Sequence, residues 1–510
     1  MADIARVTGG QLAGAGATGQ AGPAGAVTVT GVTLASSEVR PGDLFAALPG
    51  ARAHGARFVP AAAGAGATAV LTDAEGAPAA LAAGLPAIVC GDPRAVLGTA
   101  AAEVYGHPAD RLLLIGLTGT AGKTTTAYLV ESGLRRAGHV TGLIGTVETR
   151  LGDLVVDSVR TTPEASDLHA LFAVAVEHGV TAMVMEVSSH ALALDRVGGV
   201  RFAVGGYTNF GTDHLDFHKD VADYFAAKAK LFDGRSAVEI LNADDPALGP
   251  LRGPGTVTYS AAGEPSATWR ATGIRDDGFA QRFTATGPGG AIDAAVGMPG
   301  RHNVANALLA IASLVAVGVD AATAAAGVAE CPGVPGRLEK VPAPGPVTGV
   351  VDYAHKPDAI VAALDALRSR GGRLICVLGA GGDRDRGKRP VMGAAAARGS
   401  DLLIVTDDNP RGEDPAVIRA EVLRGAVESG AAAEVIEVDG RRAAIAEAVR
   451  RAAPGDTVAV LGKGHERGQE ISGELHPFDD RVELAAALAE RFGDGAATVA
   501  GGTHRAGSAG

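Results

Sequence analysis

Apolar residues come in short unbroken runs along this chain, set between glycine-rich polar segments and stretches with helical spacing. Residues 111–118, RLLLIGLT, are apolar without regular alternation, the pattern of a strand covered on both faces. The tight loop TAGKTTT follows, then a helix predicted over 126–137 and a strand over 140–144, which together make a βαβ unit. TAMVMEVSS (181–189), FAVGGYTNF (202–210) and SAVEILNAD (236–244) predict further buried strands, before the turn-rich PGVPGR that ends at Arg337. Beyond it GVVDYAH, RLICVLGA, DLLIVTDDNP, AEVIEV and TVAVLGKG alternate with helices predicted after Pro357, Pro390 and Pro415 and over 441–452. Strands alternating with helices imply an α/β fold with a mostly parallel, doubly wound sheet. From about residue 25 to 105, apolar runs such as 26–32 and 69–71 between Gly/Pro turns predict a smaller mixed α/β domain.

The length of 510 residues gives about three domains at roughly 100 to 200 residues each, and the stretches above are read as domains 1–107, 108–337 and 338–492. Residues 493–510 are rich in Gly, Ala and Thr and read as a disordered tail. The balance of 45 basic and 57 acidic residues, net −12, comes with no basic stripe, which argues against long nucleic acid as a partner and leaves small anions open. Three distant cysteines, Cys90, Cys331 and Cys376, suggest neither a disulfide framework nor a zinc site and fit a reducing cytoplasm. Neither a signal peptide nor a membrane span of about 20 apolar residues is expected. The chain has eight lysines against many arginines, so each lysine invites a reason.

Gly119-Thr-Ala-Gly122-Lys123-Thr124-Thr125 joins a buried strand to a helix, where backbone N–H groups and a helix N-terminus cradle phosphates. Lys123 then reaches the β/γ-phosphates and Thr124 ligates Mg²⁺. The strict GxxxxGK[ST] spacing fails, since Leu occupies position 117. Glu186, at the carboxyl end of a buried strand, reads either as a metal ligand or as a helix cap. TNFGTDHLDFH packs Asp213, His214, Asp216 and His218 into six residues, which reads as a Mg²⁺ or Mn²⁺ site shared with Glu186 or as a solvated loop. GAGGDRDRGKRP (379–390), TDDNPRGEDP (406–415) and GKGHE (462–466) each follow a predicted strand; their arginines either grip carboxylates or form solvated charge runs.

These motifs, in this order, resemble the Mur ligase family, the ATP-dependent amide-bond synthetases of peptidoglycan assembly, with folylpolyglutamate synthetase as a relative. TGTAGKTTT, TTPE (161–164), MEVSSHAL, TNFGTDHLDFH, YFAAKAKLF (224–232), MPGRHNVANALLA (298–310), GVPGRLE, DYAHKPDA, GGDRDRGKRPVMG, DDNPRGEDP and KGHE carry the resemblance from about residue 116 to 466. It implies an N-terminal domain for the UDP end of the substrate, a central ATP-binding domain and a Rossmann-like C-terminal domain for an amino acid. Gly119, Thr120, Gly122, Lys123, Thr124, Thr125, Asn306, Arg337 and Asp352 would bind ATP. Thr124, Glu186, His214 and Lys228 would hold two Mg²⁺, with Lys228 as a CO₂-derived carbamate, and Lys123, Lys228 and His214 would be catalytic. Within the family the GGDRD, DNPR and KGHE loops look like those of the ligases that add meso-diaminopimelate to UDP-N-acetylmuramoyl-L-alanyl-D-glutamate. Ser36, Thr161, Thr162, Ser188 and Arg196 would then hold the muramoyl peptide, and Arg384, Asp408, Asn409, Pro410, Arg411, Gly462 and Glu466 the diaminopimelate.

The implied reaction forms an acyl phosphate on the D-glutamate γ-carboxylate, which the amine then attacks. Ala121 stands where family loops carry Asn; the backbone cradle remains, and ATP binding is expected to survive. Ser36 keeps the serine of a signature whose neighbours here are Ala35 and Ser37. The competing expectations are a lysine-adding homologue, a folylpolyglutamate synthetase, and a nucleotide-gated binding protein that has lost catalysis.

Overall fold

The computed structural model describes residues 1–14, 26–50, 52–156, 158–368 and 371–493. The tail expected from residue 493 therefore lies, from 494 on, outside the described residues. The chain divides into two compact units: Met1–Thr272 with Thr284–Ala294 and Ala305–Cys331, and Gly273–Phe283 with Ala295–Val304 and the chain from Pro332 onward.

The first unit holds a five-stranded sheet in the order Gln11–Ala13, Ala87–Val89, Ala69–Thr72, Asp43–Ala46, Gly31–Thr33. Its strands are parallel except for Gln11–Ala13 at one edge. The larger sheet runs in parallel through Ser236–Asn242, Phe202–Tyr207, Leu113–Thr118, Ala182–Glu186 and Thr141–Ile144. Leu113–Thr118 comes first in sequence and sits in the middle, with Ala182–Glu186 on one side and Phe202–Tyr207 on the other. The chain thus reverses its direction of winding beside this strand, and ligands of open α/β sheets bind at the strand carboxyl ends of such a switch point. Leu114, Ile115 and Leu117 are fully or almost fully buried, as the unbroken apolar run required.

One edge of this sheet ends in the short antiparallel strands Thr149–Leu151 and Leu154–Val156. The other continues through Val257–Ser260 to Trp269–Asp277, Ala280–Gly287 and Gly290–Val296, which the apolar pattern did not announce. The helix after the phosphate loop spans Lys123–Arg136 and so starts three residues ahead of the predicted 126, because Gly122 takes a left-handed backbone that starts the helix at once. Arg135 and Arg136 in its last turn complement the helix dipole.

The second unit carries a six-stranded sheet in the order Glu339–Lys340, Thr348–Asp352, Thr457–Leu461, Leu374–Leu378, Leu402–Val405, Glu434–Glu437, parallel except at Glu339–Lys340. It is doubly wound. Leu374, Cys376 and Leu378 face a core with Ile360, Leu364, Met392 and Val422, while Ile375 and Val377 face one with Ile445, Val449, Leu484 and Leu488. The helix expected after Pro390 spans Lys388–Gly399, since proline is tolerated in a first turn whose N–H groups have no helical acceptor. A hairpin of Gly468–Ile471 and Glu474–Pro477 follows the last parallel strand and was not expected. No helix of the described residues is long and apolar enough to cross a membrane.

Candidate active site

In the first unit the phosphate loop occupies the switch point. Gly119 adopts φ 140° and Gly122 φ 85°, and a Cβ on either would collide, with the Thr208 hydroxyl and the Asn306 side-chain oxygen respectively. The loop is bolted to the segment after the neighbouring strand. Asn209 accepts from Ala121 N–H at 3.0 Å, donates to Ala121 O at 3.0 Å, and its carbonyl accepts from Thr120 N–H at 2.9 Å. Thr208 Oγ1 donates to Ala121 O at 2.6 Å, and the Thr120 hydroxyl meets the Tyr224 hydroxyl at 3.1 Å. The alanine at 121 therefore leaves a loop whose shape is set from outside by Asn209, a residue the sequence reading quoted within TNF and gave no role.

Two lysines converge here. Lys123 Nζ donates to Gly119 O at 2.8 Å and to Thr120 O at 3.2 Å, and Lys228 Nζ donates to the same Gly119 O at 2.7 Å. Lys228 lies on the helix Val221–Ala229, 1% exposed, with its ammonium 4.8 Å from the centre of the Tyr224 ring. Two ammonium groups on one buried acceptor repel, and an anion among them relieves that repulsion.

Glu186 is buried at the end of its strand, where Oε1 accepts from Thr146 N–H at 2.8 Å and Oε2 from Thr146 Oγ1 at 3.2 Å. The helix Ser189–Ala193 is capped by Ser188, not by Glu186, so the capping alternative is removed. Thr162 Oγ1 bonds Glu186 O at 2.9 Å and the Ser188 hydroxyl at 3.3 Å, and the Thr161 and Thr146 hydroxyls lie 3.0 Å apart. Arg196 joins this group: Nη1 donates to Thr162 O at 3.3 Å and Nη2 pairs with Glu164 at 2.9 Å. Burial pulls the Arg196 guanidinium below its ordinary value and Glu164 opposes the shift.

The acidic and histidine residues of 213–218 do not converge. His214, at φ 53°, pairs with Asp213 at 3.3 Å and sets its ring edge-on to His190, 4.7 Å between centres. His218 is buried and bonds Asp223 at 3.1 Å, and Asp216 is exposed. Among the described residues no three His, Cys, Asp or Glu side chains gather into a cluster that could hold an ion. Ser36 is half-buried in the turn after Gly31–Thr33, and no hydrogen bond among the described residues ties it to the phosphate loop.

In the second unit Asp352 accepts from Leu338 N–H at 2.6 Å and Ala354 N–H at 2.8 Å, which fixes the chain beside Arg337. Burial pushes its carboxyl up and Arg337 pulls it back. The Arg337 guanidinium lies 4.7 Å from the Tyr353 ring centre. His465 shares this corner; burial, with Arg337 and Arg481, pushes it down to about 4, so its ring is neutral at neutral pH.

The three loops of this unit do meet. Asn409, buried after the Leu402–Val405 strand, donates to Glu466 Oε2 at 2.9 Å and accepts from Lys463 Nζ at 2.9 Å. A Cβ on Gly462 would approach Asp408, and one on Gly382 would collide with Pro410 O. Gly382 N–H donates to Asn409 O at 2.9 Å, and Arg411 Nη1 donates to Gly382 O at 2.9 Å. Arg384 is exposed and hydrogen-bonds its own loop at Asp383 O. The loops are pinned by residues without a role in the sequence reading. Lys463, fully buried, bonds Asn409 and Glu466, and Arg389, also fully buried, pairs through both terminal nitrogens with Glu413 and donates to Gly381 O. Their signal was a rare lysine and an arginine inside the quoted motifs.

Family models match the chain in three segments: Mur ligase family, catalytic domain (28–105), Mur ligase middle domain (117–314) and Mur ligase, glutamate ligase domain (336–464). The UDP-N-acetylmuramoyl-L-alanyl-D-glutamate–2,6-diaminopimelate ligase of Streptomyces coelicolor is 54% identical over 483 residues, covering 93% of this chain and 95% of its own. The protein of the same name from Corynebacterium glutamicum is 46% identical over 509 residues, 96% of this chain and 98% of its own. A solved structure of a ligase of that name superposes with a TM-score of 0.66 at 31% identity, over 91% of this chain and 95% of the other. Identity of this level across both chains, over a fold whose phosphate loop lies at the sheet's switch point, leaves one assignment: the chain belongs to the Mur ligase family of ATP-dependent ligases.

Proposed function

We propose that this protein joins meso-diaminopimelate to the D-glutamate of UDP-N-acetylmuramoyl-L-alanyl-D-glutamate, at the expense of ATP, in cytoplasmic peptidoglycan precursor synthesis. The observation that carries the chemistry is the meeting of Lys123 and Lys228 on Gly119 O in the phosphate loop. Cations at that point fit a γ-phosphoryl group whose charge is stabilised during transfer. Lys228 fits the metal set only as a carbamate, an anion that also ends its repulsion with Lys123. Thr124, Glu186, His214 and the carbamylated Lys228 would hold two Mg²⁺, which neutralise phosphoryl oxygens when bound.

The D-glutamate γ-carboxylate attacks the γ-phosphorus, ADP leaves, and the neutral amine displaces phosphate from the acyl carbon. Thr161, Thr162, Ser188 and Arg196 orient the muramoyl peptide beside Glu186, and Ser36 serves the UDP end. Asn306, Arg337 and Asp352 complete the nucleotide contacts. Arg384, Asp408, Asn409, Pro410, Arg411, Gly462 and Glu466 receive the amino acid. Domain bounds at 107/108 and 337/338 separate the UDP, ATP and amino-acid functions.

The test is ADP release and product mass with ATP, Mg²⁺, the UDP-dipeptide and meso-diaminopimelate. The expected result is stoichiometric ADP and tripeptide, dependent on both substrates. Nucleotide binding without amide formation would point to the binding-protein reading instead.

A further inference from the structure

Arg94 stands in the first turn of the helix Pro93–Val104, where Asp92 caps the chain by accepting from the Arg94 N–H at 3.0 Å. It belongs to the segment 28–105, ahead of the segment 117–314 that carries the phosphate loop. The helix is seated directly on the turn that follows Arg196. A Cβ on Gly98 would lie 2.2 Å from Gly198 O, so this approach requires glycine. His169, fully buried, donates through Nε2 to the same Gly198 O at 3.0 Å. The seating sets Arg94 against Glu164: Nη1 lies 3.4 Å from Glu164 Oε2 and donates to Leu194 O at 3.5 Å.

Glu164 is thereby shared between two guanidinium groups. It occupies the N-cap position of the helix Ala165–Glu177 without making a side-chain cap, so both oxygens are left for arginine. Oε1 pairs with Arg196 Nη2 at 2.9 Å and Oε2 with Arg94. Arg196 spends Nη1 on Thr162 O at 3.3 Å, and its Nε is buried with no hydrogen-bond partner among the described residues. A carboxylate facing one arginine readily closes on Nε and Nη2 together, as two parallel bonds. Here that fork stays half open, and the oxygen that would fill it is the one held by Arg94. Arg196 and Glu164 are 13% and 15% exposed, so little water competes for the open donor.

Resting on the muramoyl-peptide site proposed above, we infer that Arg94 is a positioning residue for Arg196: it draws Glu164 Oε2 aside and so keeps Arg196 Nε for an anionic oxygen of the incoming peptide. Without Arg94, Glu164 turns both oxygens onto Arg196 and takes the donor itself. The incoming anion then meets a guanidinium already neutralised at close range.

The experiment measures the Kd of UDP-N-acetylmuramoyl-L-alanyl-D-glutamate by calorimetry on the full chain, with steady-state kinetics alongside. Arg94→Ala should weaken binding about tenfold, as expected for one charged hydrogen bond, with the KM for ATP unchanged, and Arg94→Lys should recover part of the loss. The discriminating variant is Glu164→Gln, whose neutral amide does not close on the arginine as a carboxylate does. In that background Arg94→Ala should cost nothing further. Unchanged affinity in Arg94→Ala would overturn the inference, and so would an equal loss in both backgrounds, which is the mark of a residue that only packs the helix. Arg196→Ala separates this inference from the reading beneath it. If Arg196→Ala weakens binding and Arg94→Ala does not, the inference alone falls; if Arg196→Ala binds the UDP-dipeptide like the wild type, the proposed peptide site falls with it.

Discussion

Lys228 is 1% exposed and its ammonium shares the acceptor Gly119 O with Lys123, so its charge bears directly on the phosphate loop. Lys228→Ala should cut kcat by about 10²–10³-fold or more, the usual effect of losing a preorganised charge-stabilising group. Bicarbonate with acetate or formate should restore part of the rate by standing in for the carbamate proposed on this lysine. Wild-type turnover of the variant under CO₂ depletion would take Lys228 out of the mechanism. At this scale the sequence singled out a residue where it stood alone of its kind in a motif, as Lys123, Glu186 and Arg411 did. It was silent on Asn209, Arg389 and Lys463, whose work is to bond backbone or side chains 24 to 88 residues away. Spacing along a chain does not encode such pairs.

The loops take their shapes from neighbouring elements. The two side-chain bonds from Asn209 to the Ala121 backbone are worth about 0.5–1.5 kcal/mol each. Asn209→Ala should therefore raise the KM for ATP about tenfold, and Ala121→Asn should change it less, since position 121 is exposed. Steady-state kinetics of the two variants decide it; a larger effect at 121 would mean that the loop is shaped from within. In the second unit the Arg389–Glu413 pair joins the start of the helix Lys388–Gly399 to the 406–414 loop, and the Asp383 N–H of the loop before that helix also bonds Glu413. Arg389 and that N–H hold the Glu413 carboxyl at about 2, below its ordinary 4.5. The folded chain therefore keeps this charge after the unfolded chain has taken up its proton. The pair's contribution is fully present above about 4.5 and is lost as pH falls toward 2. The stability gap between wild type and Glu413→Gln, read by thermal unfolding, should be constant from pH 7 to 5 and shrink below 4; a gap that grows on acidification would contradict this. The central parallel strands were readable because they are buried on both faces. Trp269–Asp277 and Gly468–Ile471 were not, since strands with an exposed face carry polar residues there and leave no unbroken apolar run.

Across the whole molecule the proposed work divides between units: Lys123, Lys228, Glu186 and His214 belong to the first, and the loops around Arg411 and Glu466 to the second. The division implies that amino-acid choice and carboxylate activation can be damaged separately. Lys123→Ala should abolish acyl-phosphate formation while the UDP-dipeptide still binds, because this lysine meets charge that develops during phosphoryl transfer. Arg411→Ala should raise the KM for meso-diaminopimelate while leaving the KM for ATP and for the UDP-dipeptide near the wild-type values. The same logic fixes which amine is used. L-Lysine matches diaminopimelate along its chain but lacks the distal carboxylate, so it would leave Arg411 Nη2 without an acceptor. A site built to bond a polar group typically rejects the analogue without it by about 10⁴-fold or more. Measured in one assay with the unmodified enzyme, kcat/KM for meso-diaminopimelate should exceed that for L-lysine by a factor of this order. Comparable efficiencies would remove diaminopimelate as the assigned substrate, and a preference for lysine would make this chain a lysine-adding member of the same family.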